Sequence, residues 1–209
     1  MVADQQRLGG GSERNSILLK GSTNTVSEFF QYALSSVLYQ RGVYPADNFE
    51  PTKKYGITVM TVRDMKLQVY LKDVLEYFTK WLETGTLQKA VLVILGAASG
   101  QVLERWSFDI QTDKGVVRGE TEATEKDEGQ VMQEVQAIIR QITASVTFLP
   151  LLQETCSIDL LAYTDKDLAV PSEWEESDPR IIEGGANVQL RSFKTSVHNV
   201  EALVSYKAE

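Results

Sequence analysis

Residues 140–179, which read RQITASVTFLPLLQETCSIDLLAYTDKDLAVPSEWEESDP, decide the fold of this chain. The segment begins inside an amphipathic helix, and Pro150 ends that helix. A sheet strand is predicted next, because apolar residues recur at every second position, namely Cys156, Ile158, Leu160 and Ala162. An acidic segment with prolines and Trp174 follows, and no ordinary enzyme core requires one. The stretch therefore predicts a helix and a strand followed by a long C-terminal arm.

Two further amphipathic helices are predicted upstream, each from apolar residues at helical spacing. The first begins near Thr25, with Ser22 as an alternative cap, and ends at Gly42. The second begins after Asp64 and ends at Gly85. Each is long enough to bury one face against a sheet.

The helix that the quoted segment closes begins near Thr124 and Asp127 and carries a wide apolar surface, which indicates burial on more than one side. The remaining strands are predicted at 57–61, 90–95, 101–110, 187–193 and 196–206. Because three helices interleave with hairpins rather than with single strands, the fold class is predicted as α+β.

The first 16 residues are polar and contain three consecutive glycines, so they are predicted to form a flexible tail. Ile17, Leu18 and Leu19 are predicted as a short edge strand. The acidic stretch at 111–129 is predicted as a solvated loop that leads into the third helix.

Composition limits the classes of function. The 209 residues suit one domain, and 43% apolar residues suit a buried core. The net charge of −8 argues against a nucleic-acid groove and favours a bound peptide with basic residues. No apolar run resembles a signal peptide or reaches membrane-spanning length, which predicts a soluble intracellular protein with no membrane partner.

The sequence gives little support to an enzyme. It lacks the nucleophile-elbow, phosphate-loop, zinc-protease and dinucleotide patterns. The single Cys156 and single His198 form the one candidate nucleophile–base pair. However, Cys156 is in phase with Ile158 and Leu160, which predicts a buried core thiol, and a lone histidine in a strand is usually a surface or hydrogen-bonded residue. No metal or cofactor is expected, and the acidic cluster at 173–178 lacks the spacing of a calcium loop.

Trp174 stands within that acidic cluster. It either docks onto its own domain or helps to clamp a ligand, and the residues alone favour docking.

Five blocks carry a resemblance to a known family: SEFFQYALSSVLYQRGVYP, VLERWSFDI, RQITASVTFLPLL, CSIDLLAYTDKDLAVPSEWEESDP and LRSFKTSVHNV. In these blocks, and from Leu19 to Lys207, the chain resembles the spindle-checkpoint, mitotic-arrest-deficient branch of the HORMA-domain family. The resemblance implies a HORMA fold at 17–209, in which three central helices pack on an antiparallel sheet. It also implies a mobile C-terminal arm, the safety belt, at 166–209.

Members of this family clamp peptides. A ligand segment adds as a strand to the sheet edge, and the safety belt crosses it. The residues that would contact the ligand here are Cys156, Ile158, Leu160, Tyr163 and Trp174. The resemblance also implies two folds of one sequence, open and closed. In the open form the C-terminal hairpin would occupy the ligand's edge, and in the closed form it would move across the sheet and displace the N-terminal strand. The residues that would take part in this switch are Leu19, Trp81, His198 and Tyr206.

The implied partners belong to the spindle checkpoint. The peptide would come from the coactivator of the anaphase-promoting complex or from a kinetochore coiled-coil receptor, and its capture would delay anaphase. A comet-type silencing adaptor and an AAA+ ATPase would remodel the closed form. An open–closed homodimer would form through Arg140, Gln141, Phe148 and Arg191. The implied locations are the nucleus, the kinetochore and the cytoplasm, and the alternative within the fold is an adaptor of a translesion DNA polymerase.

Overall fold

The computed structural model describes residues 5–207, with side chains from residue 11 onward. Helices cover one face of a five-stranded antiparallel sheet, which confirms the predicted α+β class. The helices are α1 (Gln5–Gln40), α2 (Met65–Glu83), α3 (Lys114–Val117) and α4 (Glu128–Ala144). The strands are β1 (Phe49–Lys54), β2 (Ile57–Val62), β3 (Leu87–Gly96), β4 (Val102–Thr112), β5 (Cys156–Thr164), β6 (Ala186–Lys194) and β7 (His198–Tyr206).

Helix α1 begins well before the predicted cap at Thr25. The edge strand predicted at 17–19 is wrong, because these residues are helical. Residues 5–16 of the predicted tail are helical too, and residues 1–4 lie outside the described residues. Tertiary contacts account for the difference: the Asn15 amide donates to Thr121 O at 2.7 Å and accepts from Ala123 N at 3.0 Å.

The other helix ends follow the local signals in the sequence. Asp64 caps α2 by accepting from Leu67 N at 2.9 Å, and Asp127 caps α4 by accepting from Gln130 N at 2.7 Å. Gly85 follows α2 with a φ of +66°, a conformation that suits glycine. Helix α4 ends at Ala144 and continues as a 3-10 turn at Ser145–Thr147, before Pro150.

The five-stranded sheet has the order β5-β3-β4-β7-β6, and β1 and β2 form a separate hairpin. The hairpin of β6 and β7 lies against β4, where Glu104 to Thr112 pair with Tyr206 to His198. The predicted central strand at 90–95 is confirmed, since β3 lies between β5 and β4.

Aromatic side chains join α1 to the sheet. Phe29 lies 5.7 Å from Phe108 on β4 and 4.8 Å from Phe193 on β6, measured between ring centroids. A buried ion pair adds a polar link at the end of α1, where Arg41 Nε donates to Glu104 Oε1 at 2.8 Å and the guanidinium also donates to Pro150 O. These contacts hold α1, the sheet and the chain after α4 together around one core.

Candidate functional site

The outer edge of β5 pairs with no strand among residues 5–207. Beside its two ends, Thr155 O accepts from Ala97 N at 2.8 Å and Asp165 N donates to Thr86 O at 3.1 Å. The main-chain groups of successive residues point to opposite sides of a strand, so the odd-numbered residues bond to β3 and the even-numbered ones face outward. The outward-facing residues are Cys156, Ile158, Leu160 and Ala162. This edge is therefore available to an added strand.

The side chains of these same residues point toward the helices. Cys156, Ile158, Leu160 and Ala162 all pack on the main core, whereas Leu161 and Tyr163 pack on the opposite face beside Val91 and Val93. The strand therefore packs on both faces, while its outer edge pairs with no strand of the described part of the chain.

Residues 165–185, here called the belt segment, connect β5 to β6. The segment begins at Asp165, whose carboxylate accepts from Lys114 Nζ at 2.7 Å and from Gln88 Nε2 at 2.5 Å. These hydrogen bonds lower the pKa of the Asp165 carboxyl, chiefly through Lys114. The start of the belt segment is thereby fixed near the end of β5.

Trp174 is the next anchor of the belt segment. Its ring centroid lies 5.0 Å from that of Trp81, 5.9 Å from that of Tyr77 and 6.1 Å from that of Phe78, all on α2. Trp174 also packs against the main core. The expectation that Trp174 docks onto its own domain is confirmed, and the dock lies on the helix-covered side of the sheet.

The belt segment then passes to the opposite face of the sheet. Arg105 Nε donates to Pro179 O at 3.3 Å, and Arg180 lies 3.5 Å from Asp159 Oδ2. Asp159 and Arg105 both pair with Val93, in the row of side chains that points away from the helices. Between Trp174 and Arg180 the belt segment therefore crosses the free edge of β5.

The crossing has enough length to enclose an extra strand. Six residue steps reach at most about 20 Å, whereas a neighbouring strand adds only about 5 Å of width. The free edge, the aromatic dock on α2 and the crossing belt together form a site that suits an extended peptide.

The five predicted ligand-contacting residues surround this edge, although on different sides. Cys156, Ile158 and Leu160 offer their main-chain groups at the edge, and Trp174 lies where the crossing begins. Tyr163 lies on the opposite face, where its hydroxyl accepts from Arg105 Nη2 at 3.1 Å.

The structure contradicts a cysteine hydrolase. Cys156 pairs with Gly96 at one end of the sheet, whereas His198 pairs with Thr112 at the other. Burial is the largest of the effects that raise the pKa of the Cys156 thiol, and the nearby Glu154 carboxylate adds to it, so the thiolate is disfavoured. The two residues cannot act as a nucleophile and its base.

The predicted switch residues lie where the hairpin meets the helices. His198 is fully buried, with Nδ1 at 2.7 Å from Ser22 Oγ and Nε2 at 3.2 Å from Leu82 O, and burial lowers its pKa to about 4. Of the two alternatives for this histidine, the hydrogen-bonded one is confirmed. Leu19 packs against the small apolar cluster of Val116, Ala123 and Val197, the last of which lies in the turn of the hairpin.

The other two predicted switch residues lie at separate places. Trp81 is buried and belongs to the aromatic dock of Trp174. Tyr206 pairs with Glu104 at the far end of β7.

The predicted dimer surface is brought together in part. Gln141 Oε1 accepts from Arg191 N at 2.6 Å, which joins α4 to β6. Arg140 is exposed on α4, and Phe148, which follows the 3-10 turn, exposes 43% of its surface. The side chains of Arg140 and Phe148 are thus accessible to a partner.

Sequence reasoning missed the residues that anchor the far end of the belt segment. Arg105 donates to Ser107 Oγ and Tyr163 Oη in addition to Pro179 O, so its guanidinium joins two strands to the belt. Arg180 adopts a φ of +52°, which is unusual outside glycine. No local pattern identifies either residue, because the partners that join them to the belt segment or to β5 are remote in sequence.

Across residues 5–207, no three His, Cys, Asp or Glu side chains are grouped in a way that would hold a metal ion. Within the same range, no helix is both long and apolar enough to cross a bilayer.

Comparisons with known proteins fit this architecture. The model of the HORMA domain matches residues 22–198. The chain is 51% identical over 197 residues to the mitotic spindle assembly checkpoint protein MAD2A of Dictyostelium discoideum, covering 94% of this chain and 96% of that protein. It is 47% identical over 196 residues to MAD2A of Homo sapiens, covering 94% and 95%.

A solved structure extends the likeness to three dimensions. A chain in the crystal structure of the mitotic checkpoint complex superposes with a TM-score of 0.83 at 42% sequence identity, covering 90% of this chain and 99% of that one. The chain therefore belongs to the HORMA-domain family and, within it, to the mitotic-arrest-deficient proteins of the spindle checkpoint.

Proposed function

We propose that this protein captures a peptide of a checkpoint partner as an added strand on β5 and encloses it under the belt segment. The observation that carries the proposal is the free edge of β5 with the belt segment crossing it between Trp174 and Arg180. A strand placed there gains main-chain hydrogen bonds from Cys156, Ile158, Leu160 and Ala162. The enclosing chain then slows its escape.

The position of the hairpin supports a two-state switch. With the β6–β7 hairpin on β4, the edge of β5 is left open, which is the arrangement expected of the closed form. In the open form the hairpin would occupy the ligand's edge instead. A peptide that binds one form alone shifts the population by its differential affinity, so an energy gap of a few kcal/mol between the forms is within reach of a ligand.

Charge favours ligands with basic residues near the crossing. From 165 to 185 the belt segment holds seven carboxylates and two cationic side chains, Lys166 and Arg180.

Peptides of the coactivator of the anaphase-promoting complex and of the kinetochore coiled-coil receptor are the proposed ligands, and their capture delays anaphase. The site of action would be the kinetochore, with the nucleus and cytoplasm as the wider locations.

The exposed Arg140 and Phe148 would mediate association of an open with a closed copy and binding of the silencing adaptor. The AAA+ ATPase would return the closed form to the open form. These partners act without a catalytic step in this chain, whose role is binding.

Titration with synthetic peptides tests the proposal. Peptides from the coactivator and from the kinetochore receptor are added separately, and ion-exchange elution and gel filtration follow the protein. Slow conversion to a new elution position is expected, together with a dimer peak that Arg140→Ala removes. Binding of neither peptide, together with binding of a translesion-polymerase peptide, would contradict the checkpoint proposal and favour the adaptor alternative.

A further inference from the structure

Three elements meet at the turn between β6 and β7. Ser22 of α1, Thr195 and His198 of the turn, and the main-chain carbonyl of Leu82 on α2 make one group of hydrogen bonds, here called the turn node. Ser22 exposes 5% of its surface, Thr195 4% and His198 none. Water therefore cannot replace these hydrogen bonds while the hairpin stays in place.

The direction of each bond in the turn node follows from the chemistry of its atoms. The Leu82 carbonyl can only accept, so His198 Nε2 carries the proton and donates to it across 3.2 Å. His198 Nδ1 is then an acceptor and receives the Ser22 hydroxyl proton across 2.7 Å. One neutral imidazole thus connects two helices. Its Nδ1 bonds to Ser22 of α1, and its Nε2 bonds to the Leu82 carbonyl of α2.

Thr195 gives the turn its shape at the same point. Its Oγ1 accepts from His198 N at 2.9 Å, and its N–H donates to His198 O at 2.8 Å. The same Oγ1 also contacts Ser22 Oγ. The residues that close the turn are therefore also the residues that bind it to α1. If the turn opens, its contacts with α1 are lost as well.

We propose that the turn node is the lock that holds the β6–β7 hairpin on β4, and that the hairpin leaves β4 only after the node breaks. This inference deepens the proposed switch and rests on it. The ladder between β7 and β4 and the apolar side chains of the hairpin could re-form on another strand edge, because such contacts are general. Ser22 and the Leu82 carbonyl are fixed to two helices, so the node exists in one position of the hairpin only.

The chain offers a matched control on the same helix. Ser35 of α1 exposes 2% of its surface, and its hydroxyl donates to Gln31 O at 2.7 Å within the helix. Ser35→Ala and Ser22→Ala therefore each remove the hydroxyl of a buried serine, but only Ser22→Ala removes a contact with the hairpin.

Amide hydrogen exchange of the full chain without peptide tests the lock. In Ser22→Ala, the amides of 186–206 should exchange at least about tenfold faster than in the parent protein, while those of β3 keep their rates, because the buried contacts of Ser22 with His198 and Thr195 are lost. Ser35→Ala should leave the hairpin at parent rates. Equal acceleration throughout the molecule, or equal acceleration by both variants, would overturn the proposal.

A second pair of variants tests the proposal even if Ser22→Ala does not fold. Thr195→Val removes the hydroxyl and should also loosen 186–206 selectively, whereas Thr195→Ser keeps it and should restore the parent rates. If Thr195→Ser behaves like Thr195→Val, the hydroxyl is not the lock and the proposal fails. Because this exchange needs no ligand, a failure of peptide capture in the titration above is recognised separately from a failure of the lock.

Discussion

The two edge strands of the five-stranded sheet, β6 and β5, differ in the hydrogen-bond partners of their outward-facing main-chain groups. At the β6 edge, Gln141 and Glu134 of α4 accept from the main-chain amides of Arg191 and Lys194 at 2.6 and 3.0 Å. That strand also has an irregular register between Gln189 and Ser192. At the β5 edge, the outward-facing main-chain groups meet no strand within the described chain.

This difference indicates which of the two edges is accessible to a further strand. Exposed strand edges invite unwanted pairing, and proteins usually blunt them with side chains, bulges or covering loops. Here α4 closes one edge with side-chain acceptors, while the belt segment spans the other edge. A sheet built in this way leaves one side for the added strand that we propose.

The largest expected effect concerns the β6–β7 hairpin, whose strand β6 forms the edge that α4 closes. His198 has a pKa of about 4 in the folded protein against an ordinary value of 6.5, because burial disfavours the imidazolium. The stability that its neutral form contributes is present above pH 6.5 and is lost as the pH falls toward 4, since the unfolded chain binds the proton first. The loss is about 3 kcal/mol.

Urea denaturation from pH 7 to pH 4 measures this loss. His198→Gln, which cannot titrate, is the control, and the difference between the two pH profiles isolates the histidine from the carboxylates. Parallel profiles for the two proteins would contradict the assignment and would leave the hairpin without a pH-sensitive dock.

At the open edge, the largest contribution should come from Trp174. Trp174→Ala removes an aromatic contact with Tyr77, Phe78 and Trp81 and should weaken the belt crossing by about 2 kcal/mol, less than for a fully buried tryptophan. Bound peptide should then dissociate about 30-fold faster. Stopped-flow release of a labelled peptide measures the rate, and Trp174→Phe should retain most of the parent behaviour. A peptide that leaves Trp174→Ala at the parent rate would show that the dock does not hold the belt.

Main-chain pairing at β5 predicts a pattern in the ligand rather than in the protein. Methylation of a peptide amide that faces β5 removes one hydrogen bond, which costs about 1.5 kcal/mol or roughly tenfold in affinity. Methylation of the amides between them should have little effect, because those groups point away from the sheet. Calorimetric titration with singly methylated peptides should give losses at every second residue. Equal losses at all positions would exclude an added strand.

At the β6 edge, the loss of a single side-chain acceptor should have a smaller effect on stability. Glu134→Ala leaves the Lys194 amide without its acceptor and should lower stability by about 1 kcal/mol. Faster exchange of the Lys194 amide is the specific readout. Gln133→Ala, on the exposed side of the same helix, should change neither quantity. If both variants behave alike, α4 does not protect this edge.

Local signals in the sequence predicted much of the fold. Asp64 and Asp127 cap the helices as expected, and the alternation around Ile158 and Leu160 identified β5. These features depend on residues a few positions apart, so a single sequence contains them. The docking of Trp174 was likewise predictable from a tryptophan in a polar segment.

The rest depended on contacts between distant residues. The start of α1 was missed because polar residues and glycines suggested a tail, whereas Asn15 bonds to the main chain near Thr121. The free edge of β5 could not be predicted from its own pattern, since pairing on one side or on both gives the same alternation. Ser22 and Thr195 are ordinary polar residues in sequence, and only the fold brings them to His198.

The smallest expected effect lies at the far end of the belt crossing, where Arg180 meets Asp159. Both side chains are more than a third exposed, so the ion pair contributes at most about 0.5 kcal/mol. Arg180→Gln should release bound peptide about twofold faster, and added salt should accelerate release from the parent protein but not from the variant.

Arg180→Gly separates the ion pair from the backbone. Glycine adopts the observed φ of +52° without the steric cost that a side chain bears, so this variant loses the same ion pair but relaxes the crossing. It should therefore hold peptide longer than Arg180→Gln. The reverse order would mean that the greater freedom of glycine in the opened belt outweighs the relief of strain. The far end of the crossing would then be held by the Arg105 contact with Pro179 rather than by the conformation of residue 180.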